Sequence, residues 1–163
     1  MRSLFVLSAT VSVLVAGPVG CNKKDNVIDG VGDYHLGKTQ EKDVKHGRCE
    51  PQESGLNWCA HLPRLQVAEQ AADVHLYFGN AEPTAKLIEI LLSINRCKPE
   101  GVILQFEHEL GPASESAAGR HVWRSKAAVI VAQLDLSDGR CEINFVAPSD
   151  AKRIADLTEP QTP

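Results

Sequence analysis

The side chains with the widest chemical reach in this chain are its thiols and imidazoles. Cys59-Ala60-His61 sets a thiol two residues from an imidazole, with His46 and Cys49 a short way upstream, and zinc accepts such ligands. The spacings contain no CxxC pair and match no structural zinc pattern, and Cys59 with His61 lacks the third group that orients a catalytic base. A second cluster, Glu107-His108-Glu109, places two carboxylates around an imidazole. Paired carboxylates work as acid and base only where they converge, and on a helix residues two apart point about 200° away from each other. The solvated side of an amphipathic helix is the simpler reading; on a strand the two would share a face and the acid–base reading would strengthen. His75 and His121 flank strand-like segments and could join Glu107 around a metal, although nothing in the sequence brings the three together. GxSxG, HExxH, Walker and GxGxxG motifs are absent, which removes the standard nucleophile, zinc-protease and nucleotide sites. The expectation is no catalytic residue, no metal and no cofactor.

The remaining chemistry is that of five cysteines, Cys21, Cys49, Cys59, Cys97 and Cys141, and the odd number turns on Cys21. Cys21 closes a segment that starts with Arg2, runs apolar to Ala16, passes through Gly17-Pro18-Val19-Gly20 and is followed by polar Asn22-Lys23-Lys24-Asp25-Asn26. One charge, a short apolar run and a small residue before a cut site make an export signal, and the run falls short of the roughly 20 residues that span a bilayer. A small residue directly before a cysteine resembles the lipobox of bacterial lipoproteins, with Pro18 where that family prefers Leu. The resemblance implies a signal peptide over 1–20, a lipid on Cys21, a membrane as partner through that lipid, and a place in the bacterial cell envelope facing the periplasm or the exterior. An ordinary secretory signal cut near Ala16-Gly17 is the alternative, and it leaves Cys21 a free thiol.

Lipidating Cys21 leaves four thiols, an even set that reads as two disulfides in an oxidising compartment, with three pairings open. Cys49 with Cys59 closes a short local loop, and Cys97 with Cys141 ties distant elements, where a crosslink removes more unfolded-chain entropy. That pairing is the expectation. The formal net charge is −4, and −5 once Arg2 leaves with the signal. A mildly acidic chain with no Lys or Arg cluster beyond short pairs such as Lys23-Lys24 lacks the cationic face that neutralises phosphates, which excludes nucleic acid as a partner.

The elements that must position these side chains follow from pattern. Residues 21–45 are rich in Gly, Asp and Lys with no sustained apolar period, and read as a lipidated N-terminus and flexible tether. Residues 46–158 are one domain of common size, and 159–163 a disordered tail. Val74, Leu76 and Phe78 alternate with Asp73, His75 and Tyr77 as in a half-buried strand. Ile88, Ile90, Leu92 and Ile94 recur at every second position after the turn Gly79–Pro83, which predicts a second strand, although Leu87, Ile90, Leu91 and Ile94 also fit a helix. Pro99 to Leu110 predicts a helix with a Val102, Ile103, Phe106 and Leu110 stripe, ended by Gly111-Pro112, with a strand carrying Val102, Leu104 and Phe106 as alternative. A loop over Ala113–Arg120, strands at His121–Trp123 and Ala127–Leu134, a Ser137–Arg140 hairpin turn and a strand facing Cys141, Ile143, Phe145 and Ala147 inward come next. Ser149 as N-cap starts a short helix with Ala151, Ile154, Ala155 and Leu157. The predicted fold is α+β, a small antiparallel β-sheet with one central helix and a short C-terminal helix, disulfide-stapled.

The order helix, Leu110-Gly111-Pro112, polar loop, Trp123 and two strands is similar to a pattern in small bacterial envelope lipoproteins, including those of the outer-membrane barrel-assembly machinery. The similarity implies a scaffold or binding role and no particular binding residue. The leading expectation is therefore a non-enzymatic, lipid-anchored envelope protein that binds an envelope protein, a glycan or a small ligand. Trp58 and Trp123 could line a cleft or serve as buried anchors. The alternatives are a small envelope hydrolase or metal-dependent enzyme using the His and Glu residues, and a secreted-type inhibitor presenting the Ala113–Arg120 loop.

Overall fold

The computed structural model describes residues 28–159; residues 1–20, expected to be a signal peptide, Cys21 and residues 160–163 lie outside them. In chain order the elements are β1 (Gly30–Val31), β2 (Tyr34–His35), a 3-10 turn (Glu41–Asp43), β3 (Arg48–Pro51), β4 (Asn57–Ala60), β5 (Leu65–Val67), β6 (Gln70–Phe78), β7 (Leu87–Ile94), α1 (Pro99–Leu110), β8 (Glu115–Ala117), β9 (Arg120–Arg124), β10 (Val129–Gln133), β11 (Cys141–Val146) and α2 (Ala151–Thr158). β1 and β2 form a small hairpin. The other nine strands form one sheet in the order β3-β4-β6-β7-β11-β10-β9-β8, with β5 paired to β6, and every pairing is antiparallel. The fold is α+β, as the sequence patterning predicts.

Alternation decides what each face of the sheet carries. Val74, Leu76, Phe78, Ile90, Leu92, Ile94, Cys141, Ile143 and Phe145 all fall on one face and are buried there. α1 closes this inner face with Val102 and Phe106, one helical turn apart. Phe106 sits between Trp123 and Phe145, with ring centroids at 5.3 Å and 6.1 Å. Leu104 is 67% exposed, which rules out the strand alternative for this segment, and Gly111 leaves the helix at a φ of 86° that favours glycine. Over 87–94 the strand reading holds, although Leu87 rather than Ile88 is buried, because the register with β6 shifts between Tyr77 and Phe78.

α2 lies on the opposite, outer face. Ile154 and Leu157 pack on Val122, Val129 and Val131, and Arg153 forks onto the carboxylate of Glu89 at 2.8 Å and 2.9 Å. The N-cap is Asp150, whose side chain accepts from the Arg153 N–H, and not the expected Ser149. Asp150 stands three residues before Arg153, the spacing at which a cap side chain meets an orphan N–H.

Three further expectations are corrected. Residues 28–45 are not a tether: Leu36 is buried in the main core, Gly37 N–H donates to Leu87 O and Leu87 N–H to Thr39 O, so this stretch is stitched to β7 through its backbone. The Ala113–Arg120 loop is mostly a hairpin, β8 turning through Ala118 and Gly119 into β9. Glu159, placed in the tail, caps α2 and its carbonyl accepts from Arg120 at 3.1 Å. Both disulfides are present as expected. Cys49 and Cys59 are directly opposed on β3 and β4, and Cys97 joins Cys141 with Cα atoms 5.6 Å apart.

Candidate functional site

Two glutamines fix α1 against the sheet, and the space left beside it is a cleft. Gln70 accepts the Lys98 N–H at 2.6 Å and donates to the Lys98 carbonyl at 3.2 Å, which holds the start of the helix. Gln105, midway along it, accepts the N–H of Ala68 and donates to Glu109 at 2.9 Å. Ala68 and Glu69 form the two-residue turn between β5 and β6, and both have positive φ, 49° and 62°, a conformation that costs a residue with a side chain roughly 1–2 kcal/mol. The Gln105 amide thus braces a turn that the local sequence does not favour.

Between α1, this turn and the β1–β2 hairpin lies a cleft of about 400 Å³, within the size range of small-molecule sites. Its floor is apolar, made by Val67, Leu92, Phe106 and Phe145. Among the described residues of the lining, the polar ones are Asp29, Gln66, Gln105 and Glu109. Asp29 is bonded to Lys38 Nζ at 2.6 Å and to His35 Nδ1 at 2.8 Å. The bond from Lys38, and then that from His35, hold its carboxyl below the usual carboxylate range.

The residues singled out in the sequence do not meet. His75 lies on the outer face, where its ring stacks on Trp58 with centroids 5.7 Å apart and planes 8° from parallel. Burial pushes its pKa down, against the opposing pull of Asp73 and Glu142. His121 lies on the inner face: His75 is in register with Leu91, Leu91 with Asn144, Asn144 with Val131 and Val131 with Val122, so the neighbour of Val122 points the other way. His121 bonds to Ser116 Oγ at 3.0 Å and stacks on Trp123. Glu107 and His108 are exposed on α1, whereas Glu109 reaches the cleft. Cys49 and Cys59 are bonded to each other, so neither offers a thiolate beside His46 or His61. Among the described residues, no three His, Cys, Asp or Glu side chains gather as a metal-binding group, and no helix is long and apolar enough to cross a membrane.

Sequence reasoning missed the cleft because one wall, residues 28–32, has the composition of a linker. The signal that was present is the spacing of Gln105 and Glu109, one turn apart beside the buried Phe106. No protein-family model, curated protein or solved structure matches the chain.

Proposed function

We propose that this chain is a lipid-anchored protein of a bacterial envelope, exported under a signal ending at Cys21, and that its domain is a non-enzymatic binding module. The observation that carries the binding role is the cleft, with its apolar floor, polar rim and braced walls. A preformed concavity with a few fixed polar groups binds without needing a reactive side chain. The enzyme alternative needs convergent ionisable groups, and His75, His121 and Glu107 lie on two faces of the sheet and on the helix exterior. On this reading six residues, Asn22 to Val27, separate the anchor from Ile28, the first residue of the cleft wall.

Two measurements test the proposal. Cells fed a clickable fatty acid label the wild-type protein and not Cys21→Ala, and an unlabelled wild type ends the lipoprotein reading. Substituting Val31, half-buried in the cleft wall, by Trp narrows the cleft, so a binding module loses its ligand with thermal stability kept within a few degrees; ligand retention by a folded Val31→Trp protein removes the cleft from the function.

A further inference from the structure

The β1–β2 hairpin turns one strand edge toward the cleft. Leu36 N–H donates to Asp29 O at 2.7 Å, and Gly30 is in register with His35 and Val31 with Tyr34. Backbone groups alternate in direction along a strand, so Asp29 and Val31 aim theirs at β2, and Gly30 aims its N–H and carbonyl the other way. Residues 28–32 all line the cleft, which makes that other side of β1 one of its walls. At β5, Val67 pairs with Gln70 beside the turn, so the backbone of its neighbour Gln66, also in the lining, points away from β6. Among the described residues β1 and β2 form a sheet of two strands, and a two-stranded ribbon gains stability from a third. The edge is ordered in advance: Ile28, Val31 and Tyr34 pack on the main core, and Leu65 comes within 3.2 Å of where a Cβ on Gly32 would stand.

We infer that the cleft binds an extended peptide segment of a partner protein, added as a third strand on the edge of β1 at Gly30. This rests on the binding reading above and names the ligand class of that same cleft. In strand addition, main-chain bonds hold any extended chain and alternate side chains set the selectivity. Val31 packs down on the core, so a strand joined to the same ribbon turns every second side chain to the floor of Val67, Leu92, Phe106 and Phe145. That floor selects apolar residues at alternate positions. The wall from Ile28 to Val31 is roughly 13 Å long at the rise of a strand, and a cleft of about 400 Å³ takes a short stretch of chain and not a folded face. An edge already in place spares the ligand part of the cost of ordering its site.

The test uses the anchored full chain in envelope membranes and three diazirine probes. These are a pool of capped hexapeptides with Val, Leu or Phe alternating with Ser or Thr, the same pool methylated at every peptide nitrogen, and hexanol. Crosslinked segments are identified by mass spectrometry. The peptide pool labels the segments holding residues 28–32, 66–67 and 105–109 roughly three- to tenfold more than the methylated pool, the effect of losing about one backbone hydrogen bond. Hydrogen exchange at the Gly30 amide, resolved from Val31 by electron-transfer fragmentation, slows with the peptide pool and not with the methylated one. Val31→Trp removes labelling by both pools. Equal labelling by the two pools, or a Gly30 amide as slow as that of Val31 before any peptide is added, overturns strand addition while leaving a binding cleft. Labelling by hexanol alone overturns the peptide class and also leaves the cleft. Labelling that survives in a folded Val31→Trp protein, or no labelling of these segments by any probe, overturns the cleft as a binding site as well.

Discussion

On the inner face of the sheet, the polar tip of the buried tryptophan is answered: Trp123 Nε1 donates to Gly111 O at 3.0 Å, and the rings around it interlock. On the outer face, Trp58 Nε1, His75 Nδ1 and Asn144 Oδ1 are buried with no hydrogen-bond partner among the described residues. That face is held by one ion pair to Glu89 and by two half-buried side chains of α2. A buried polar atom left unmet costs about 1–3 kcal/mol, so the outer face, with three such atoms against Asn57 Oδ1 on the inner face, carries more of that cost. The difference teaches where tolerance lies. Rigidity is concentrated on the side that shapes the cleft, and the other side depends on a few specific contacts.

The contrast is broken first through the inner face. Phe106→Ala opens a void between Trp123 and Phe145 and lowers unfolding free energy by about 3–5 kcal/mol, measured by urea denaturation; a loss near 1 kcal/mol would mean that the core is not where the stability resides. Next in size is Arg153→Ala, which strands Glu89, only 4% exposed, and costs roughly 3 kcal/mol, kept low by the partial exposure of Arg153. Pairing Arg153→Met with Glu89→Leu recovers most of that loss. If the double variant stays as unstable as the single one, the outer face needs the ion pair itself.

The two tryptophans sharpen the comparison. Trp123→Phe leaves Gly111 O unanswered and costs about 1–2 kcal/mol, whereas Trp58→Phe removes a donor that has no partner and changes stability by less than about 0.5 kcal/mol. Equal losses would show that the outer tip is satisfied in solution. The smallest effect is in pH. Burial lowers the folded-state pKa of His75 below its ordinary 6.5, so the unfolded chain takes up the proton first. The His75 contribution is therefore complete above about 6.5 and is lost as pH falls from there toward the folded-state value. Stability measured from pH 8 down to 5 falls more steeply for the wild type than for His75→Gln, and parallel curves would contradict the burial of this ring.

Where the chain announces an element by its own period, sequence and structure agree: Val74, Leu76 and Phe78 at period two, and Val102 and Phe106 one turn apart. The disulfides were legible as a choice among three pairings, a short local loop with one link between distant elements, where a crosslink removes more unfolded-chain entropy. The N-terminal wall was not. In residues 28–45 Leu36 alone is buried, and the order of that stretch comes from backbone bonds to Leu87, some fifty residues away in sequence, which no local period records. β8 was hidden likewise, because all three of its residues are exposed and pair without an apolar face. Of the candidate site, Glu109 was singled out in a cluster with Glu107 and His108, but its partners in the cleft are spread from Asp29 to Phe145.

The Cys97–Cys141 bond has a kinetic consequence. β7 and β11 are neighbours at the middle of the sheet, with Ile94 in register with Cys141, yet α1 and three strands separate them along the chain. Long-range antiparallel pairings of this kind set slow folding rates, because loop closure is unfavourable until many contacts form. Once oxidised, the bond holds the two central strands end to end through every excursion of the chain. The sheet then regrows outward from a registered pair, while a reduced chain has to find that pair by diffusion each time it opens.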